Sequence, residues 1–316
     1  MAQTLPEAAK LSTDMLQKGV IETYAKSSPV LELLPFMEIA GNSYRYNQEG
    51  TLPGIGFRGV NEGYQESTGV LNPQSEGLVI SGGDADVDRF IVQTLGNVND
   101  QRAIQTQMKT KALSLAWTKT FFKGDVAKTP KSFDGLEKRL TGKQVIDGRG
   151  GELTLTMLDE LIDAVEGLPD AIFCSKAMRR EIKRVIQEHH GYTESDYDAY
   201  GRPVMLYGGV PVRIIEEDEK GQEILGFDEA NNTTSLYVVK FGAEQYVSGL
   251  QSGAINVRDL GELQEKPVFR TRIEWYSSFA VFHPRAAARL SGVIKKDGGK
   301  AAPAPSPEAK AAKASK

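Results

Sequence analysis

The stretch Gly50-Thr-Leu-Pro-Gly-Ile-Gly-Phe-Arg-Gly-Val-Asn-Glu-Gly-Tyr64, inside a longer segment from Tyr44 to Phe90, decides how this chain is read. From Gly50 to Gly83 it holds nine glycines and two prolines, and it has almost no apolar runs. Each glycine loses much backbone freedom on folding and packs nothing, so the segment cannot build a core of its own. Structureless connections beyond ~15 residues are usually functional or disordered. Disorder is disfavoured here by the interleaved Tyr44, Tyr46, Phe57, Arg58, Tyr64 and Val70, because disordered segments are poor in aromatics. A long extended arm that finds its burial on another subunit satisfies both observations.

After the arm, Asp84-Ala-Asp-Val-Asp-Arg-Phe90 leads into a segment that reads as one long helix, 99–123. Asn99 or Asp100 can cap it, its interior has no glycine or proline, and Gly124 stops it. Ile104, Met108, Ala112, Leu115, Ala116 and Phe122 recur at three- and four-residue steps, which predicts the buried face. The opposite side carries Gln101, Arg102, Gln105, Lys109 and Lys119.

The rest of the chain mixes short strands with segregated helices, an α+β pattern. Helices are predicted over Thr154–Val165 and, capped by Ser175, Lys176–His189. Strands are predicted at Ala171–Cys174, Val204–Tyr207, Val210–Ile215, Leu236–Phe241, Ala254–Leu260, Val268–Glu274 and Phe279–Phe282, with Gly208-Gly209 as a hairpin turn. Residues 128–143 read as irregular, and Val30–Pro35 as a short apolar plug. Lys295–Lys316 is different material: six lysines against Asp297 and Glu308, with an Ala-Pro alternation, about +4 in charge. That composition predicts a mobile tail able at most to touch phosphates without reading sequence.

The order of parts resembles a known family, the major capsid proteins of tailed double-stranded DNA bacteriophages, whose fold is named after phage HK97. Short words carry the resemblance from about Leu11 to Val293. In the first half they are Leu34-Pro-Phe36, Gly41-Asn-Ser-Tyr-Arg-Tyr-Asn47, Thr51-Leu-Pro53, Phe57-Arg-Gly-Val-Asn-Glu-Gly-Tyr64, Glu66-Ser-Thr-Gly69 and Phe121-Phe-Lys-Gly-Asp125. Further along come Phe133-Asp-Gly-Leu136, Leu206-Tyr-Gly-Gly-Val-Pro-Val212 and Trp275-Tyr-Ser-Ser-Phe-Ala-Val-Phe-His-Pro-Arg-Ala286.

The resemblance implies an N-terminal arm (1–43), an extended loop (44–90) and a peripheral domain (91–130 and 254–293) with the spine helix. It further implies an inserted axial domain (131–253) and a basic tail (294–316). It implies hexamers and pentamers of one chain tiling an icosahedral shell around the phage genome. The extended loop would lie over a neighbouring subunit, with Phe57, Arg58 and Tyr64 as candidate intersubunit anchors, since aromatics and arginine carry interfaces disproportionately. Expected partners are other copies of the chain, a portal protein, packaged double-stranded DNA at the inner surface and, in some relatives, a decoration or cement protein. The segment before Tyr44 is too short for a fused scaffolding domain, so a separate scaffolding protein is expected. The HK97 phage shell itself is locked by isopeptide bonds from a lysine of the extended loop; between Asn42 and Phe90 this chain has no lysine.

Little points to chemistry. No catalytic, cofactor-binding or metal-binding residue is expected. His189 and His190 diverge as helix neighbours, and His283 before Pro284 has no nucleophile motif beside it. Cys174 lies in an apolar strand. No phosphate-cradling loop is present, and Gly54-Ile-Gly56 lacks a strand-helix context. Asp84-Ala-Asp-Val-Asp imitates the start of a calcium loop, but Arg89 stands where such a loop needs glycine. Glu216-Glu-Asp-Glu219 reads as an exposed acidic turn.

One cysteine and a mild net charge of −4 exclude a disulfide scaffold and a strongly basic body. A polar N-terminus and no run of ~20 apolar residues argue against secretion or membrane insertion. Assembly in the host bacterial cytoplasm into a virion follows from the resemblance. Two other readings stay open: an encapsulin-like nanocompartment shell of the same fold, and an enzyme of unknown type using the axial domain. Neighbouring genes would separate the first from a phage shell.

Overall fold

The protein is described by a computed structural model covering residues 4, 5, 19, 20, 23, 27–95, 101–189, 194–197 and 201–295. The candidate caps Asn99 and Asp100, His190, most of the N-terminal segment and the tail from residue 296 lie outside the described residues.

Two sheets and a hairpin organise the chain. The hairpin pairs Ser43–Thr51 with Val70–Gly77. A five-stranded sheet is built around the long strand Val268–Val281, which pairs antiparallel with Val79–Asp88, Val247–Gln251 and Asn256–Glu262; Phe36–Glu38 adds to Val247–Gln251. A seven-stranded sheet runs in the order Val145–Glu152, Ala287–Ile294, Thr234–Val239, Ala171–Cys174, Val210–Ile214, Pro203–Tyr207, Glu194–Tyr197. The helices Leu155–Asp163 and Lys176–Glu188 pack on this second sheet, with Leu158, Leu161, Met178 and Ile182 buried against Ile172, Leu236 and Leu290. Thr154 and Ser175 cap them by accepting from the N–H groups of Met157 and Met178. Gly208 and Gly209 both take positive φ, 57° and 78°, as a two-residue hairpin turn requires.

Three strands lie close to the expected domain boundaries. Val79–Asp88 was expected at the end of the extended loop. It forms a full strand of the five-stranded sheet, in unbroken register with Val268–Ser277. Alternation explains this: Ala85 and Val87 point into the protein while Asp84 and Asp86 meet arginines on the long strand. Ala287–Ile294, placed with the peripheral portion, is the second strand of the seven-stranded sheet, beside its edge strand Val145–Glu152. Val247–Gln251, placed with the axial portion, belongs to the five-stranded one.

The spine helix runs Gln101–Lys123 and lies against Val79–Asp88 and the long strand. Its C-terminal half is the centre of the core. Trp117 and Phe121 stack at 5.6 Å, Phe121 meets Phe279 at 4.6 Å, and Trp117 approaches Trp275 at 6.0 Å. Phe36 fills the space beside Trp275 at 4.9 Å. Phe122 turns toward Phe173 and Tyr237 of the second sheet, so this helix ties the two sheets together.

In the N-terminal half the predicted face is wrong. Ile104 and Met108 are 38% and 61% exposed, whereas Thr106, Thr110 and Ser114 are buried. The threonines satisfy their hydroxyls within the helix: Thr106 donates to Arg102 O at 2.8 Å and Thr110 to Thr106 O at 2.7 Å. Small side chains with hydroxyls satisfied inside the helix let it lie close over strand Val79–Asp88, where Gly83 leaves room for the Lys109 side chain.

Candidate assembly surfaces

The arm is anchored at its root and bare at its tip. At the root, Tyr46 packs on Phe282 at 4.7 Å and donates its hydroxyl to Val281 O at 3.2 Å. Burial, helped by the nearby Glu76 carboxylate, pushes the Tyr46 phenol up to about 12. Gln48 donates to the same carbonyl at 3.4 Å. From the other strand, Glu76 takes both Nη groups of Arg139, one at 2.8 Å, while that guanidinium lies 4.4 Å from the centre of the Phe279 ring. Arg139 Nε donates to Asp134 O at 2.6 Å, so the arginine is fixed from three directions.

Between Gly50 and Gly69 the hydrogen bonds found among the described residues stay within the arm. Leu52, Ile55, Phe57, Val60 and Tyr64 are all at least 69% exposed. The tip holds its own shape through a short turn in which Gly59 N donates to Glu62 Oε2 at 2.8 Å and Asn61 adopts φ 70°. Of the three candidate anchors, Arg58 and Tyr64 come together, with the guanidinium 5.2 Å from the centre of the tyrosine ring. Arg58 also donates to Glu62 O at 3.2 Å. Phe57 stands fully in solvent beside them. An exposed apolar tip with an arginine has the composition of an interface hot spot.

A second surface lies on the five-stranded sheet. Asp84 receives Arg272 through two bonds of 2.7 and 2.9 Å, and Asp86 receives Arg270 through two of 2.7 and 2.6 Å. These hydrogen bonds hold both carboxyls below their ordinary value. The aspartates alternate along an extended strand, so they cannot wrap an ion as a calcium loop would, and their oxygens are already taken by arginine. Among the described residues no group of three or more His, Cys, Asp or Glu could hold a metal.

The acidic turn is less exposed than its composition suggests. Asp218 is buried and accepts from Lys119 Nζ of the spine helix at 2.7 Å and from the N–H groups of Lys220 and Gln222. The lysine contact first, then those backbone donors, pulls its carboxyl down to about 2. This turn therefore locks the second sheet to the spine helix. Sequence reasoning missed it because nothing in four consecutive acids marks which one points inward.

His283 and His189 are structural in their contacts. His283 Nδ1 accepts from Arg285 N at 3.1 Å, which places the ring proton on Nε2, 3.1 Å from Glu166. His189 ends its helix with Nδ1 2.9 Å from Val185 O. Cys174 is buried, and burial lifts its thiol to about 12. Among the described residues no helix is long and apolar enough to cross a membrane.

Comparison with known proteins agrees with this architecture. No curated protein matches the chain in sequence. The family model for major capsid protein GP7 matches residues 13–157, the part that holds the hairpin, its bare tip and the spine helix. Among solved structures, the holo-SrpI encapsulin complex of Synechococcus elongatus PCC 7942 superposes with a TM-score of 0.67 at 18% identity, over 84% of this chain and 88% of that one. The capsid of a native GTA particle gives 0.63 at 12% identity, over 86% and 91%. A chain from Mycobacterium phage Bobi gives 0.58 at 13% identity, over 83% and 89%. These superpositions show the fold of HK97-like capsids and encapsulins, and the GP7 match makes residues 13–157 similar to a phage major capsid protein.

Proposed function

We propose that copies of this chain tile, as hexamers and pentamers, an icosahedral shell that closes around packaged double-stranded DNA, and that the shell assembles in the cytoplasm of the host bacterium. The observation that carries this reading is the arm tip. Five large apolar side chains, Leu52 to Tyr64, stand in water on a hairpin whose root is firmly held. Exposed apolar patches of that kind mark interaction sites. A neighbouring copy is the natural cover, with Phe57, Arg58 and Tyr64 crossing the subunit boundary. A separate scaffolding protein, a portal and, where the shell needs reinforcement, a cement protein complete the set of partners.

The test is electron microscopy of the protein expressed with and without its scaffolding partner. Closed shells or capsomer rings support the reading; a monodisperse monomer under both conditions overturns it. The encapsulin-like alternative shares the fold, and the likeness to the SrpI complex is a likeness of fold. Nuclease-protected DNA inside particles isolated from the native source supports the phage reading, and a protein cargo in place of DNA replaces it.

A further inference from the structure

The helix Lys176–Glu188 carries a row of cations that the subunit leaves unneutralised. Its inner face, Ala177, Met178, Ile182, Val185 and Ile186, is buried on the seven-stranded sheet. Its outer face carries Lys176, Arg179, Arg180, Lys183 and Arg184. Two of these are committed: Lys176 is 2.8 Å from Glu216, and Arg184 lies 2.9 Å from Glu181 and 2.6 Å from Glu188. Arg179, Arg180 and Lys183 are exposed and make no ion pair among the described residues. They line an open cleft of about 330 Å³ along strand Pro203–Tyr207. Arg179 also reaches a second cleft of about 250 Å³, where Arg202 and Arg213 join it.

Carboxylates in these clefts are few. Glu32 lies 3.7 Å from Arg213, Glu216 is taken by Lys176, and Glu194 faces the first cleft. The surplus is positive on a chain whose overall charge is −4 even with a tail of about +4 included. Such a concentration on an otherwise acidic body calls for a polyanion.

We infer that this helix face binds the phosphate backbone of double-stranded nucleic acid without reading its sequence. This rests on the shell reading above and names the surface that would meet the packaged genome. Arg179 to Lys183 spans about 6 Å at 1.5 Å per residue, and the long side chains of Arg179, Arg180 and Lys183 widen that reach to neighbouring phosphates of a duplex. The cleft beside them has Val204 and Met205 at its floor but no aromatic ring to stack a base and no deep apolar pocket to anchor a peptide side chain. Guanidinium and ammonium groups without such anchors give affinity and salt dependence rather than specificity.

The experiment compares the full chain with a variant carrying Arg179→Gln, Arg180→Gln and Lys183→Gln. Binding of a fluorescent 30-base-pair duplex of random sequence is followed by anisotropy between 50 and 200 mM KCl. Three lost phosphate contacts flatten the salt slope by about 2.7, so wild-type binding weakens about 40-fold more than the variant's over this range. The basic tail is present in both proteins and cancels. Superimposable curves overturn the proposal, as does a variant that loses binding to polyglutamate while holding DNA unchanged. Thermal unfolding of the variant is expected to match wild type, since all three side chains are exposed. If the variant unfolds early, single Gln substitutions, each flattening the slope by about 0.9, give the same readout. Particle formation is scored separately by microscopy. Shells that form normally while the salt slope is unchanged sink the helix assignment alone, and a wild-type chain that forms no shells with or without its scaffolding partner sinks the shell reading alone.

Discussion

Arg139 holds Glu76 with both of its Nη groups across the junction where the arm leaves the body. The arginine follows the spine helix in the chain, and the glutamate sits on the return strand of the hairpin, so one ion pair couples arm angle to core position. Both side chains are mostly buried, which makes the pair worth more than a surface one. Arg139→Ala is expected to destabilise the subunit by about 2 kcal/mol, through the lost charge-assisted bonds and the lost packing on Phe279. It should also loosen the arm. Hydrogen exchange over 43–77 checks this: faster exchange there with an unchanged spine helix is the expected pattern, and uniform protection would mean that the aromatic root alone fixes the arm.

Acid should weaken the clamp between the acidic turn and the spine helix. The Asp218 carboxyl has its ordinary value of 3.8 in the unfolded chain and about 2 in the folded one. Above 3.8 the carboxylate is ionised in both states and the full stabilisation is present, about 1–2 kcal/mol. As pH falls from 4 to 2, the unfolded chain takes up the proton first and that contribution is lost. Urea midpoints for wild type and Asp218→Asn should therefore differ at pH 5 and converge near pH 2. A gap that stays constant with pH would assign the loss to shape rather than charge.

Two glycines separate close packing from mere proximity. A Cβ at Gly249 would collide with Cδ1 of Phe36, a ring wedged beside Trp275. Gly249→Ala must move that ring or the strand, and a cost of about 2–3 kcal/mol is expected. At Gly83 the added atom would meet Cε of Lys109, the far end of a chain that can swing aside. Gly83→Ala should cost well under 1 kcal/mol. Thermal melts of the two variants give the comparison; equal losses would mean that Lys109 is held as tightly as Phe36.

The spine helix shows what the sequence makes legible and what it hides. Its length, its stop at Gly124 and the burial of Phe122 follow from composition and periodicity. So do the caps Thr154 and Ser175 and the turn at Gly208-Gly209, each set by local chemistry. The arm is legible because glycine and aromatics together exclude both a core and disorder. The buried face of the first half of the helix is not, because periodicity counts apolar residues, and here Thr106 and Thr110 are inside while Ile104 and Met108 are out. Their hydroxyls are satisfied by their own helix, a solution that hydrophobicity cannot register. The strand Val79–Asp88 was hidden in the same way: its apolar residues, Val79, Ile80, Ala85 and Val87, are interrupted by Gly82-Gly83 and by aspartates, and its register depends on arginines nearly 190 residues away. Phe122→Asp should yield insoluble protein, since a charge would face Phe173 and Tyr237. Met108→Asp should leave the stability of the subunit within about 0.5 kcal/mol of wild type. Insoluble Met108→Asp would restore the face that periodicity indicated.

The last expectation concerns how the finished shell is held. A lysine on the extended loop supplies the nucleophile for the isopeptide bonds of the HK97 phage shell. The cations between Asn42 and Phe90 here are Arg45, Arg58 and Arg89. A guanidinium stays protonated at any accessible pH and cannot attack a side-chain amide. Arg58, the one nearest the tip, is already engaged over the Tyr64 ring and at Glu62 O, a geometry suited to an anchor rather than a reagent. The shell should therefore rely on burial of Phe57 and its neighbours, on charge-assisted bonds from Arg58, and on any cement protein. Mature particles boiled in detergent under reducing conditions should run as a single band near 34.5 kDa. A ladder from dimer to hexamer would show a covalent link formed by some other nucleophile and would rule out this mode of closure.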